Sequence, residues 1–229
     1  NIFLYQLSQC CSVLAIDLLG YGESDPWTNN SSIGADLEAA EALVLQLSEP
    51  VHLIGHSYGG VLAMRLAQRH PAAVRSLLLH EPVAWGSIFD SPDTSLAEHF
   101  LGVRERFFSS QHPPSTEEWL QGFVDFWNRP GTWQSFPERT KAIWRLQADK
   151  VYAEVHNLCF DSTPVREWAG LSMPTCITMG QHSPPAEREV CQLLNQTLPD
   201  CRLIEHAGGH LAPVTHFAAV APIVRKWLG

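Results

Sequence analysis

A short run of small residues contains the side chain best placed for nucleophilic chemistry. The segment 55–60 reads Gly-His-Ser-Tyr-Gly-Gly and directly follows the apolar run 51–54. In a G-x-S-x-G pattern, the central serine lies on a sharp turn from strand to helix, strained and exposed, and can attack an acyl carbon. Backbone N–H groups at the start of the helix, such as that of Tyr58, can stabilise the negative charge that develops. We predict that side chains at Gly55 and Gly59 would collide with the neighbouring backbone.

A serine hydroxyl needs a base to remove its proton, and His210 is the best candidate. It lies in the segment 207–213, Ala-Gly-Gly-His-Leu-Ala-Pro, just after the last predicted strand. Active sites of parallel sheets lie at the carboxyl ends of their strands. His52 and His56 lack the glutamate of a zinc motif, and His206 with His210 lacks a third ligand. Without a complete nucleotide-binding motif either, we predict no metal and no cofactor.

Alternating strand and helix patterns are expected to position these residues. Short apolar runs predict strands, and apolar residues spaced by three and four predict helices. Strands are predicted at 12–17, 51–55, 74–81, 175–179 and 201–206, with helices at 33–47, 61–70, 185–197 and 218–228. Continuously apolar strands, each followed by a helix, indicate a parallel sheet that is covered on both faces. The predicted class is α/β, with a mostly parallel, doubly wound sheet.

The interval between the predicted strands at 74–81 and 175–179 is too long for a crossover connection. We predict an α/β core at 1–85 and 170–229 and a helical cap at 86–169, with a capping box at 115–118. Five of the eight tryptophans lie in this cap. Most of these aromatic side chains are expected to fill the interior of the helical layer, and a minority could line a ligand site.

Composition excludes several classes of partner. The 229 residues are 45% hydrophobic and carry a net charge of -9, which repels nucleic acid and anionic bilayers. No stretch approaches the length of a membrane span. The six cysteines form no C-x-x-C pair and the chain has no positively charged start, so we expect reduced thiols in a cytoplasmic protein.

Four features together resemble the α/β-hydrolase superfamily. They are the segment 17–24 (Asp-Leu-Leu-Gly-Tyr-Gly-Glu-Ser), the turn around Ser57, the helical insertion, and Gly209-His210 after the last strand. The resemblance covers nearly all of the chain. It implies an eight-stranded, mostly parallel sheet, a cap between strands six and seven, and a Ser, acid, His triad in that chain order.

The acid of this triad departs from the usual position of the family. That position follows strand seven, where Ser183 stands in place of the expected aspartate. Some family members take the acid from the end of strand six, which here is Glu81. We predict that Glu81 orients His210 and stabilises it as it becomes charged, with Asp161 and Glu187 as alternatives.

The amino-terminal part is the second departure. The family begins with three strands and a His-Gly loop, whose backbone N–H completes the oxyanion hole with that of Tyr58. No counterpart of either is found in this sequence, so we expect either a fragment of a longer protein or another element in the vacant position of the sheet.

These observations predict a serine hydrolase that cleaves a small apolar carboxylic ester or similar acyl substrate through an acyl-enzyme. A non-catalytic binding protein and a hydrolase of C–C or amide bonds remain alternatives, and the oligomeric state stays open. Activity is expected to rise as His210 loses its proton near pH 6.5, or higher if Glu81 is ionised beside it.

Overall fold

Four parallel strands form the centre of the molecule. The computed structural model describes residue 5 and residues 7–9, 11–28, 33–108 and 116–228. The strands are β1 (Val51–His56), β2 (Val74–His80), β3 (Thr175–Gly180) and β4 (Cys201–His206), and they pair in the order β1-β2-β3-β4. All three pairings are parallel, so the four carboxyl ends meet at one edge.

Helices cover both faces of this sheet. Leu77 and Leu79 of β2 pack in one apolar cluster with the helices on that face, whereas Leu78 packs with Val220 and Val224 on the other. This division follows from the alternation of side chains along a strand. The helices are α1 (Ile33–Val44), α2 (Tyr58–Arg69), α3 (Thr94–Phe108), α4 (Glu117–Trp127), α5 (Thr132–Ser135), α6 (Glu138–Phe160), α7 (Pro185–Thr197), α8 (Ala212–Thr215) and α9 (Phe217–Leu228). The predicted α/β class with a parallel, doubly wound sheet is confirmed.

The predicted strand at 12–17 is wrong, and the described residues form four strands rather than the eight that the resemblance implied. Residues 12–17 are exposed and belong to no strand, and Leu14 is 62% exposed. A strand is stable only when its backbone groups pair with a neighbour. Among the described residues, β1 pairs only with β2, and no strand lies between β1 and this segment.

The described residues between β2 and β3 contain helices and no strand, and we call α3 to α6 the inserted helices. Trp119 and Trp133 are almost fully buried among them, consistent with aromatic side chains that fill a helical layer. Thr116 caps α4, because its hydroxyl accepts a hydrogen bond from the N–H of Trp119; Ser115 of the predicted capping box lies outside the described residues. The domain boundaries at 85/86 and 169/170 stay a prediction. No helix within the described part is both long and apolar enough to cross a bilayer.

Candidate active site

The turn between β1 and α2 holds Ser57 in a strained conformation. Its backbone has φ 56° and ψ -123°, in the region that residues with a side chain rarely adopt. The Ser57 N–H donates to the carbonyl oxygen of His80 at 3.1 Å, which ties the turn to the end of β2. The strain is therefore held by the neighbouring strand, and the hydroxyl is presented at the carboxyl edge of the sheet.

Two glycines make this turn possible, but they are not both the predicted ones. A Cβ on Gly55 would lie 2.5 Å from the carbonyl oxygen of Gly59, and a Cβ on Gly60 would lie 2.8 Å from the Cβ of Pro82. A Cβ on Gly59 would meet no atom within 4 Å. The prediction for Gly55 agrees with the structure and that for Gly59 is wrong, because the close approach to the segment after β2 falls one residue later, at Gly60.

His210 joins the serine to a carboxylate. Its Nε2 lies 2.9 Å from Oγ of Ser57, and its Nδ1 lies 2.8 Å from Oε2 of Glu81. Because a carboxylate can only accept, Nδ1 carries the proton and donates it to Glu81. The Nε2 lone pair is then free to accept from the Ser57 hydroxyl, which is the arrangement that general-base catalysis requires.

Glu81 is held by more than the histidine. The residue is fully buried, and its backbone has φ 43°. Its Oε1 accepts from the N–H of Gly180 and from the hydroxyl of Ser183, both at 2.6 Å. Ser183, which stands where the family usually has its acid, therefore binds Glu81, the first residue after β2. Three donors hold this carboxyl group in one orientation.

The two alternative acids lie elsewhere. Asp161 pairs with Arg65 at 3.2 Å. Glu187 is buried and accepts from Nε1 of Trp85 at 2.9 Å. Neither of these carboxylates has a hydrogen bond to His210 in the structure, whereas Glu81 does.

His80 supports the loop that carries His210. Its Nε2 donates to the carbonyl oxygen of His210 at 3.1 Å, because a carbonyl can only accept. Its Nδ1 must then accept from the hydroxyl of Thr178 at 2.8 Å. Burial lowers the pKa of His80 to about 3, which keeps the ring in the neutral form that these two bonds need. Sequence patterns missed this residue, because a histidine inside an apolar strand gives no sign of its partners.

Burial also lowers the pKa of His210, to about 3. The ring is only 2% exposed, and burial disfavours its charged form. The expectation of a pKa at or above 6.5 is therefore wrong, because the sequence does not show how completely the loop is covered.

A flat pH profile should result. A histidine acts as a general base only in its neutral form, and a lowered pKa keeps the imidazole of His210 neutral to lower pH. We expect kcat/KM to change less than about twofold between pH 8 and pH 5.5, whereas a base with a pKa of about 6.5 would lose about tenfold by pH 5.5. Initial rates in constant-ionic-strength buffers test this, with circular dichroism at each pH to verify that the protein stays folded. A tenfold loss in a folded sample would contradict the buried, neutral base.

Tyr58, the predicted oxyanion donor, is anchored by a buried network of charged and polar groups. As the first residue of α2, it has a backbone N–H without an acceptor inside the helix. Its phenol donates to Oδ2 of Asp36 at 2.7 Å, and Nζ of Lys150 binds the same oxygen. Lys150 also lies 3.3 Å from Glu154, whose pKa burial raises to about 7. The network connects α6 of the inserted helices to α1 and to the residue after the serine.

Removal of the lysine from this network should destabilise the fold. The side chain of Lys150 is 6% exposed and that of Asp36 is 1% exposed, so Lys150→Met leaves a buried carboxylate without its cation. We expect a loss of about 3 kcal/mol in the free energy of unfolding. Urea denaturation followed by circular dichroism measures it. The exposed Lys226 provides a matched control, since Lys226→Met should change stability by less than about 0.5 kcal/mol. Equal effects of the two substitutions would contradict a stabilising network.

The sequence of this chain matches a known protein family and parts of several known enzymes. A family model for the alpha/beta hydrolase family matches residues 3–223. The chain is 35% identical over 109 residues to a pimeloyl-[acyl-carrier protein] methyl ester esterase of Neisseria meningitidis serogroup C, covering 48% of this chain and 41% of that protein. It is 42% identical over 71 residues to the lipase LipV of Mycobacterium tuberculosis, covering 31% of this chain and 27% of that one. The matched regions thus span less than half of these relatives.

Solved structures share the fold. A hydrolase from Pseudomonas aeruginosa superposes with a TM-score of 0.72 at 20% identity, covering 99% of this chain and 83% of that one. An esterase from Thermogutta terrifontis superposes with a TM-score of 0.66 at 24% identity, covering 93% of this chain and 77% of that one. At these identities the likeness concerns the fold alone.

Proposed function

Because the chain belongs to the alpha/beta hydrolase family, we propose that it is a serine hydrolase that cleaves a small apolar carboxylic ester through an acyl-enzyme. The observation that carries the proposal is the continuous chain of contacts from Ser57 through His210 to Glu81, at 2.9 and 2.8 Å. The activities of two relatives, a methyl ester esterase and a lipase, favour esters over other acyl substrates.

In the first half of the reaction, Oγ of Ser57 attacks the ester carbonyl carbon while its proton passes to Nε2 of His210. The carbonyl π electrons move to the oxygen, where the backbone N–H of Tyr58 is the proposed donor. The tetrahedral intermediate then collapses. The bond to the leaving oxygen breaks, His210 returns the proton to that oxygen, and the alcohol leaves an acyl group on the serine.

In the second half, His210 takes a proton from water, and the resulting hydroxide attacks the acyl carbon. Collapse releases the carboxylic acid and returns the proton to Ser57. Throughout, Glu81 accepts from Nδ1 and stabilises each imidazolium that forms. The fixed orientation of its carboxylate means that no reorganisation is needed when this charge appears.

An apolar acyl group is proposed from the surroundings of the histidine. Trp85 and Phe100, with ring centroids 5.2 Å apart, make this side of the histidine apolar beyond the Trp127 ring that stacks on it. No described group of three or more His, Cys, Asp or Glu side chains could hold a metal ion. The cytoplasmic location stays a prediction.

Hydrolysis of p-nitrophenyl esters of increasing acyl length tests the proposed function. We expect turnover of the acetate and butyrate esters, with a burst of nitrophenol equal to the enzyme concentration if release of the acyl group is slow. The p-nitroanilide of the same acid serves as the amide comparison. Saturable binding of the esters without turnover would instead favour the non-catalytic alternative, and faster cleavage of the anilide would favour an amide hydrolase.

A further inference from the structure

The inserted helices place an indole ring directly on the candidate base. Trp127, the last residue of α4, stacks on His210 with ring centroids 3.6 Å apart and the ring planes at 20°. Trp127 is 7% exposed and His210 is 2% exposed, so water has little access to either ring. The two residues belong to different layers of the molecule, and the stack is therefore a contact between the inserted helices and the sheet edge.

The indole is held in place independently of the histidine. It also stacks on Trp85, with ring centroids 5.6 Å apart and ring planes at 8°. Phe126 contacts it edge-on at 4.9 Å. Trp85 is itself fixed, because its Nε1 donates to the buried carboxylate of Glu187 at 2.9 Å. The buried Glu187, which does not contact His210, thus anchors the stack.

We infer that Trp127 is a positioning residue that acts through His210, an inference that rests on the proposed function. Hydrogen bonds at Nδ1 and Nε2 hold the imidazole at two points, but a ring held at two points can still rock about the line between them. A rigid plane stacked at 3.6 Å opposes that motion. It therefore keeps Nε2 aligned with the serine hydroxyl, and small misalignments at such a contact reduce rates strongly.

The stack also controls how far the histidine is shielded from water. The groups that face His210 are His56 from the end of β1, Ser57 from the turn, His80 and Glu81 from the end of β2, and Trp127 from α4. Burial lowers the pKa values of His56 and His80 to about 3, so both rings are neutral near pH 7. Loss of the indole should admit water and raise the pKa of His210. Loss of cation–π attraction has the opposite sign and is the smaller effect.

Three substitutions separate a stacked plane from mere apolar bulk. Trp127→Phe keeps a planar ring, Trp127→Leu keeps apolar volume without one, and Trp127→Ala removes both. We expect kcat to fall by about 3-fold, 10-fold and 10- to 100-fold in that order, with KM changing less than about 2-fold for both p-nitrophenyl acetate and octanoate. In the leucine and alanine variants, the pH below which kcat/KM decreases should rise toward 6.5.

The control is Trp144→Ala, which removes a half-buried indole from α6 whose ring contact is with Phe123. It should leave kcat within about twofold of the wild-type value and should not change the pH at which kcat/KM begins to fall. The opposite result is that the three Trp127 variants have the same kcat and pH profile as one another, while their KM values exceed that of the wild type by more for longer acyl chains. Trp127 would then merely line the substrate site, and the inference would be overturned.

Tryptophan fluorescence gives a readout that does not need turnover. Protonation of a stacked imidazole quenches the indole above it, so acidification of the wild type should quench a component that Trp127→Phe lacks. If the wild type hydrolyses no ester but shows this difference, the proposed function fails and the stack stands. If the wild type and Trp127→Phe titrate identically, the inference fails whatever the activity.

Discussion

Ser57→Ala is expected to lower kcat for ester hydrolysis by about 10⁶-fold, the order of loss when the nucleophile of a triad is removed. Without Oγ no acyl-enzyme can form, and the neutral His210 is left facing a methyl group. Stability should change little, because alanine is as strained as serine at a φ of 56° and the lost hydroxyl has one partner among the described residues, Nε2 of His210.

Stopped-flow and steady-state assays of p-nitrophenyl acetate measure this loss, with wild-type contamination excluded by active-site titration. The control is Ser135→Ala on the exposed end of α5, which should retain full activity. A Ser57→Ala variant that keeps more than about 1% of kcat would show that another group performs the attack.

Glu81→Gln is expected to lower kcat by about 10⁴-fold with little change in KM. The amide oxygen can still accept from Gly180 and Ser183, so its NH₂ group would face Nδ1 of His210. A donor at that place forces Nδ1 to accept and moves the ring proton to Nε2. Nε2 then points a proton, rather than a lone pair, at Ser57.

The comparison variants locate the acid. Glu205→Gln alters a surface carboxylate at the end of β4, which binds Arg188, and should leave kcat unchanged. Glu187→Gln removes a buried carboxylate that has no bond to His210 and should act far more weakly than Glu81→Gln. A Glu187 effect larger than that of Glu81 would transfer the role of the acid to Glu187.

The parts of the site that could be predicted from sequence are those determined locally. The turn at Ser57 is visible because an apolar run meets glycines, and the structure places His210 and Glu81 beside it because both follow strands of one parallel sheet. The strands at 74–80 and 201–206 lie where continuous apolar runs predict them. The run 12–17 has the same composition but no neighbour to pair with, and pairing is not a local property.

What could not be predicted depends on contacts across the fold. In the sequence, Ser183 stands out only because it replaces the expected aspartate. The hydrogen bond from its hydroxyl to Glu81 depends on the register in which β2 and β3 pair, which the sequence does not reveal. Trp127 lies among many aromatic residues of the inserted helices, and nothing in their spacing marks the one that reaches the histidine. The same cover explains the lowered pKa of His210, since burial is a sum over distant segments.

Labelling with a fluorophosphonate probe tests the central claim most directly, because the probe reacts only with a serine whose proton a base removes. Intact-protein and peptide mass spectrometry of the folded protein should find one phosphonate per chain, attached to Ser57, and His210→Ala should abolish it. A folded protein that takes up no probe, or takes it up at another serine, would contradict the account.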